Sequence, residues 1–299
     1  MATTLNLSGL TDYVEVNRDQ LFVKSVAGSK TLDYVELMPN VVYKEALNYL
    51  DSTIEFGDGS NCSWDPTGSD TFSQRFIEVV PLKINKEYCA KDMRKKWMNY
   101  EYNWQAGRIE MPLMEAIANS NVAAAQEALE NLLWQGNSGL SFEGFIEKAS
   151  AETGVVDVTF ASGATATAKI DAIVAALPMR ALKKGVDIFV SYTDFRNYIQ
   201  EQNASCCSKK EVLDAASESI GYFGDSRIRI IPVIGLENQG AILAASKGNL
   251  VYGTDLLGSD SVYKWIHDEK TDMYYLKVEF TGGVAIKFPD EIVLGVDGE

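Results

Sequence analysis

His267 is the only histidine in the chain, so sites that need two imidazoles, from HExxH zinc centres to facial-triad iron, are excluded. It stands in Trp265-Ile266-His267-Asp268-Glu269-Lys270, a polar stretch that predicts a turn between two strands and a solvated or capping imidazole. The four cysteines, Cys62, Cys89, Cys206 and Cys207, match neither zinc nor thioredoxin-like spacing. An adjacent pair closes only a strained ring, so a reduced, cytosolic setting is expected. Cys62 beside Trp64 has no base near it in sequence and is expected to pack. No GxxxxGK[ST] occurs, and Gly235, Gly240, Gly282 and Gly283 do not complete GxGxxG, so no nucleotide cofactor is expected. The acidic stretch 57–70 lacks the ligand ladder of a calcium loop and reads as a solvated turn. These residues lead to an expectation of no metal and no cofactor.

One basic cluster stands apart: Lys91, Arg94, Lys95 and Lys96, followed by Trp97, Tyr100, Tyr102 and Trp104. Basic residues interleaved with aromatics suit single-stranded nucleic acid, which stacks on rings and pairs its phosphates with cations. Against this stand 42 acidic and 27 basic residues, a formal charge of −15, which repels phosphates and acidic membranes over most of the surface. The cluster is therefore expected to face an acidic neighbouring subunit, and any DNA contact must be local.

The elements that position these residues follow from periodicity. With 46% hydrophobic and 23% charged residues, the chain is globular, and its 299 residues suffice for about two domains. The N-terminus lacks the basic start and apolar run of a signal peptide, and no run reaches the ~20 residues that span a bilayer. Residues 1–50 show short apolar clusters without a single long period and read as an arm. From about 52 to 84 the pattern is strand, Gly/Asp/Pro/Ser tip, strand, with apolar residues on both faces at Phe76 to Val80. This is a long hairpin whose base should be covered, because a lone hairpin is barely stable in water. Pro112 opens a helix that Gly136 stops, with a packing stripe expected at Ile117, Ala124, Ala128 and Leu132. A strand at 155–160, a helix at about 168–177, a buried strand at 188–191 and a short helix at 195–201 mark a second lobe. Strands at 228–233 and 241–245 join its sheet. The closing segment predicts a hairpin turning at Gly282-Gly283 and a last strand, 292–294, returning to the first lobe.

This order, α+β throughout, resembles the major capsid proteins of tailed bacteriophages with the Hong Kong 97-type fold. The resemblance rests on Trp134-Gln135-Gly136-Asn137 with Phe142-Glu143-Gly144-Phe145, on Ile188-Phe189-Val190-Ser191 with Asp194-Phe195-Arg196, and on Ile228 to Val233 with Asn249 to Leu256. Cys62-Ser63-Trp64 to Phe72-Ser73 and Lys86 to Met93 are similar to extended-loop segments in shells of phages of Bacteroidetes hosts. The resemblance implies an N-terminal arm (1–50), an extended hairpin loop (51–90), a peripheral domain with a spine helix (91–165), an axial domain (166–262) and return strands of the peripheral domain (263–299).

It further implies a structural protein of hexamers and pentamers in an icosahedral shell around packaged double-stranded DNA, with a hairpin lying over one neighbour and an arm clasping another. Candidate inter-subunit residues are Trp64, Phe72, Arg75, Phe76, Lys91, Arg94, Lys95 and Lys96. Expected partners are copies of itself, a portal protein, separate scaffolding and decoration proteins, and weakly contacted DNA. No membrane is expected, and the setting is the virion capsid after assembly in the host bacterial cytoplasm. Some members crosslink their shells through a hairpin lysine. None occurs here between Lys44 and Lys83, so no covalent chain-mail is expected. The intact Met1 favours a separate scaffold over a cleaved leader. Two other readings stay open: an encapsulin-type nanocompartment, since fold does not fix contents, and a cytosolic enzyme using paired carboxylates.

Overall fold

Where apolar residues fill consecutive positions, both faces of a strand must be covered, and this rule organises the second half of the chain. The computed structural model describes residues 17–57, 60, 68–89, 92, 113–204, 221–223, 227–255, 262–271 and 273–298. A six-stranded sheet runs in the order β5 (Val156–Phe160), β13 (Ile292–Asp297), β9 (Ala241–Ser246), β6 (Val186–Ser191), β8 (Ile228–Val233) and β7 (Gly221–Tyr222). Its alternate side chains serve two cores. Ile188, Val190, Ile230 and Ala244 face one core with the helices α4 (Ala166–Ala176), α5 (Met179–Lys184) and α6 (Tyr192–Ala204). Phe189, Ile231, Leu243 and Leu294 face the other, with α2 (Leu113–Gln135) and α3 (Phe145–Ala151).

A five-stranded sheet lies on the far side of that second core. Its long strand β12 (Met273–Ile286) pairs with β4 (Val80–Cys89) on one side, and with β11 (Val262–Asp268) and then β10 (Leu250–Thr254) on the other. The short strand β1 (Glu36–Pro39) adds in parallel to β10. Tyr274, Leu276, Val278 and Phe280 alternate inward into the core they share with the spine helix α2. Asn121 of α2 accepts hydrogen bonds from Lys86 Nζ at 2.9 Å and Tyr88 Oη at 2.8 Å, tying the helix to β4. At ~1.5 Å per residue α2 is about 35 Å long, enough to cross from this sheet to the six-stranded one. There the Trp134 ring lies 4.9 Å from that of Phe189.

The helix ends as its sequence predicts. Gly136 adopts φ +71° and its N–H donates to Leu132 O at 2.9 Å. Gly144 then passes so close that a Cβ there would meet Gly136 N at 2.4 Å, which accounts for both glycines of this motif.

Four expectations need correction. Ala124 and Ala128 are exposed, and the buried stripe is Ala118, Val122, Leu129 and Leu133, one residue further round the helix. Gly282 and Gly283 make no turn but lie inside β12, where the backbone of Glu78 crosses so closely that a Cβ on Gly283 would sit 2.0 Å from Glu78 O. The turn lies instead at 269–271, closed by Asp268, whose carboxylate accepts from Lys270 N at 3.0 Å and Thr271 Oγ1 at 2.8 Å. His267 therefore stands in β11, its ring stacked 4.4 Å from that of Tyr274. Finally, β13 does not return to the first sheet: Val293 pairs with Ala244 and Val156 in the six-stranded one, where its buried side chain meets an apolar core.

Among the described residues no helix is long and apolar enough to cross a membrane. The described part of the first segment folds onto its own subunit. Helix α1 (Arg18–Ala27) buries Leu21 and Phe22 in the core shared with α2, and Gln126 Nε2 donates to Lys24 O at 2.8 Å.

Candidate assembly surface

Among the described residues, strands β2 (Lys44–Ile54) and β3 (Gly68–Glu78) pair antiparallel with each other alone. The first strand begins inside the segment expected to be arm, and the second stops at Glu78, after which β4 joins the five-stranded sheet. Opposed residues in such a ladder share a face. One face carries Glu45/Ile77, Leu47/Arg75 and Tyr49/Ser73, and it is turned to the body of the subunit. Ile77 and Leu47 are buried with Val41, Val79, Val251 and Ala285. The ring of Tyr49 meets that of Phe288 edge-on at 5.0 Å. Arg75 grips Glu152 with two hydrogen bonds, Nη1 to Oε1 at 2.6 Å and Nη2 to Oε2 at 3.0 Å. Burial alone would lower the pKa of this guanidinium, but its bonds to Glu152 and Tyr49 outweigh that and raise it above its ordinary value.

The opposite face carries Lys44/Glu78, Ala46/Phe76, Asn48/Gln74, Leu50/Phe72, Ser52/Asp70 and Ile54/Gly68. Lys44 and Glu78 form an ion pair, and Lys44 Nζ also lies 4.7 Å from the centre of the Phe76 ring. Beyond that pair the hydrogen-bonded polar pairs Asn48/Gln74 and Ser52/Asp70 alternate with open apolar side chains: Phe76 is 50% exposed, Leu50 52%, Phe72 81% and Ile54 81%, with Phe56 fully exposed just past the strand. Large apolar side chains scattered singly on a surface need no explanation, but a row along one face of one ribbon does.

Phe72 and Phe76, expected at an inter-subunit contact, thus lie together on the open face. Arg75 does not join them: it points the opposite way and holds Glu152 of its own chain. Trp64, Lys91, Arg94, Lys95 and Lys96 lie outside the described residues. Leu50, Ile54 and Phe56 were not singled out from sequence, although the strand register places the first of these across from Phe72.

Among the described residues no group of three His, Cys, Asp or Glu is placed to hold a metal. Three buried carboxylates are committed to separate donors. Asp187 pairs with Arg229 through bonds of 2.6 and 2.7 Å. Glu130 accepts from the backbone N–H of Thr31 at 3.2 Å and from its hydroxyl, which itself accepts from Trp134 Nε1. Glu291, 1% exposed, takes Lys184 at 2.6 Å, Arg180 at 3.1 Å and the hydroxyl of Ser246.

No family model and no curated protein matches the chain. Solved structures match in shape. A chain of the satellite phage P4 procapsid including the size determination (Sid) protein is similar over 98% of this chain and 98% of its own, with a TM-score of 0.63 and 10% identity. A chain of Mycobacterium phage Bobi matches over 91% of each, at a TM-score of 0.59 and 13% identity. A virus-like particle from Pyrococcus furiosus matches over 95% of this chain and 99% of its own, at 0.53 and 13%. At such identities the likeness is one of fold.

Proposed function

We propose that this chain, which has the Hong Kong 97-type capsid fold, is a major capsid protein that assembles into hexamers and pentamers of an icosahedral shell enclosing double-stranded DNA of a tailed phage. The observation that carries this reading is the hairpin with one face seated on its own subunit and the other lined by Phe76, Leu50, Phe72 and Ile54 in the open. A second copy is the occupant that suits the row. Full burial of one such side chain is worth about 1.5–3 kcal/mol, so a few of them supply what a contact repeated around a closed ring requires. The role is structural, not enzymatic.

The same reading places the protein in the virion capsid, assembled in the host bacterial cytoplasm, with a portal protein and separate scaffolding and decoration proteins as partners. The nanocompartment alternative is not better supported, since phage chains are among the structures that match over nine-tenths or more of this chain.

The test is Leu50→Ser with Phe72→Ser. Both positions are exposed, so the subunit should fold with unchanged circular dichroism. Sedimentation should show assembly lost or weakened at least tenfold in critical concentration. Assembly at the wild-type concentration would refute the role of this face.

A further inference from the structure

Hydrogen-bond donors crowd the corner where β4 passes under the spine helix α2. The pairing registers set Lys86, Leu276 and Trp265 side by side in one row across β4, β12 and β11, with Tyr88 and Tyr274 in the next. Strands lie about 4.8 Å apart, so the backbones of Lys86 and Trp265 are about 10 Å apart, within reach of two long side chains on one face. Asn121 Oδ1, above them in α2, takes two donors at once, Lys86 Nζ at 2.9 Å and Tyr88 Oη at 2.8 Å. An ammonium only donates, so this pairing fixes the amide and turns its Nδ2 the other way.

Nδ2 meets no acceptor there, and neither does Trp265 Nε1, whose ring stacks on that of Tyr88 at 5.1 Å. Asn121 is 8% exposed and Trp265 6%, so bulk water does not serve these N–H groups. Lys86 is half-buried, and among the described residues its ammonium bonds to the Asn121 amide alone, with no carboxylate beside it. Glu87, next in the chain, is exposed on the opposite face of β4. Two buried donors without acceptors beside an uncompensated ammonium need a physical reason.

We infer that the corner formed by Lys86, Tyr88, Asn121 and Trp265 is a binding site for a carboxylate. Counting protons decides between occupants. A water molecule accepts from one or two of these donors but brings two protons of its own into a corner already short of acceptors. A carboxylate brings no proton, about four lone-pair sites and the negative charge that Lys86 lacks. Lys86 and Tyr88 are only half-buried, and among the described residues β4 pairs with β12 alone, so the corner opens at the sheet edge. The carboxylate has two sources: an acidic side chain of a second copy, since the chain carries 42 acidic residues and a net charge of −15, or a free organic acid. The first source rests on the shell reading, and the site itself does not.

The experiment follows indole fluorescence in wild type, Lys86→Met, Lys86→Arg and Trp265→Phe. Sodium acetate replaces chloride at constant ionic strength in dilute, unassembled subunits, and the same spectra are recorded through assembly without acetate. A hydrogen bond at Nε1 shifts indole emission, and subtracting the Trp265→Phe spectrum isolates this indole from the other four tryptophans. A saturable acetate response, weakened at least tenfold in Lys86→Met and kept in Lys86→Arg, establishes the site with a free carboxylate as its ligand. A Trp265 response that acetate does not produce but assembly does, and that Lys86→Met abolishes, establishes it with a neighbour's acidic side chain. No Trp265 response in either arm, or an equal response in Lys86→Met and wild type, overturns the inference and leaves the corner to water. Circular dichroism of each variant separates a lost site from a lost fold. Failure of the shell reading would appear as no assembly in wild type, while the acetate titration would still decide whether the corner binds a carboxylate.

Discussion

Arg75 and Phe76 are adjacent in sequence and point to opposite sides of the hairpin: the first clasps Glu152 of its own subunit through two bonds of 2.6 and 3.0 Å, while the second stands 50% exposed on the open face. The ribbon is therefore held from beneath, which presents its apolar row at a defined height and angle. Val79, buried next to the strand end, and Tyr49 against Phe288 complete the seat.

The Arg75–Glu152 pair is partly exposed, at 23% and 34%, so its coupling should be about 1 kcal/mol and not the larger figure of a fully buried pair. A double-mutant cycle with Arg75→Ala and Glu152→Ala measures it. Either single variant should speed proteolytic nicking of the hairpin several-fold while leaving global unfolding nearly unchanged. Unaltered nicking would mean that the clasp does not hold the ribbon.

Glu291 and its cations should respond asymmetrically. Removing both cations, with Arg180→Gln and Lys184→Gln, leaves a buried carboxylate uncompensated and should cost about 3–5 kcal/mol in urea unfolding. Glu291→Gln leaves cations that are 47% and 41% exposed and can turn to water, so it should cost less, about 1 kcal/mol. Equal costs would contradict this assignment.

Glu201 of α6 caps α4 from outside. Its carboxylate accepts from Thr167 N at 2.8 Å and Ala166 N at 3.2 Å, while Thr165 takes Ala168 N. Desolvation acts to raise its pKa, but the hydrogen bonds from Thr167, Ala166 and Thr165 outweigh it and lower the value. A carboxylate with a depressed folded pKa contributes stability that is complete above its unfolded pKa, about 4.3, and is lost as pH falls through the folded value. Glu201→Gln should therefore be less stable than wild type by about 1 kcal/mol at most at pH 7, with the gap closing below about pH 4. A gap that widens in acid would reverse the sign of the argument.

Mature particles should run as single chains on denaturing gels. The hairpin strands Lys44–Ile54 and Gly68–Glu78 carry no lysine beyond the first residue, and Lys44 is engaged by Glu78. A ladder of crosslinked species would contradict the expectation of non-covalent cohesion.

Much of this architecture was legible because it is local. The spine helix carries its own stop at Gly136, and the double-sided apolar runs 186–191 and 241–246 announce a sheet covered on both faces. What escaped depends on partners distant in sequence. Gly282-Gly283 carries the composition of a turn, and only the passage of Glu78 O explains why glycine is needed inside a strand. The parallel pairing of Ile292–Asp297 with Val156–Phe160 joins segments more than a hundred residues apart and leaves no mark in either. On the candidate surface, Phe72 and Phe76 were visible from alternation, whereas Leu50 and Ile54 needed the register, and the purpose of Arg75 needed Glu152.

The central claim is self-assembly, and the most direct measurement is negative-stain electron microscopy of the purified chain, with light scattering and an absorbance check for nucleic acid. The account predicts closed shells or hexameric rings, with DNA-filled shells from infected cells. A homogeneous small species that stays small under crowding and added salt would contradict it.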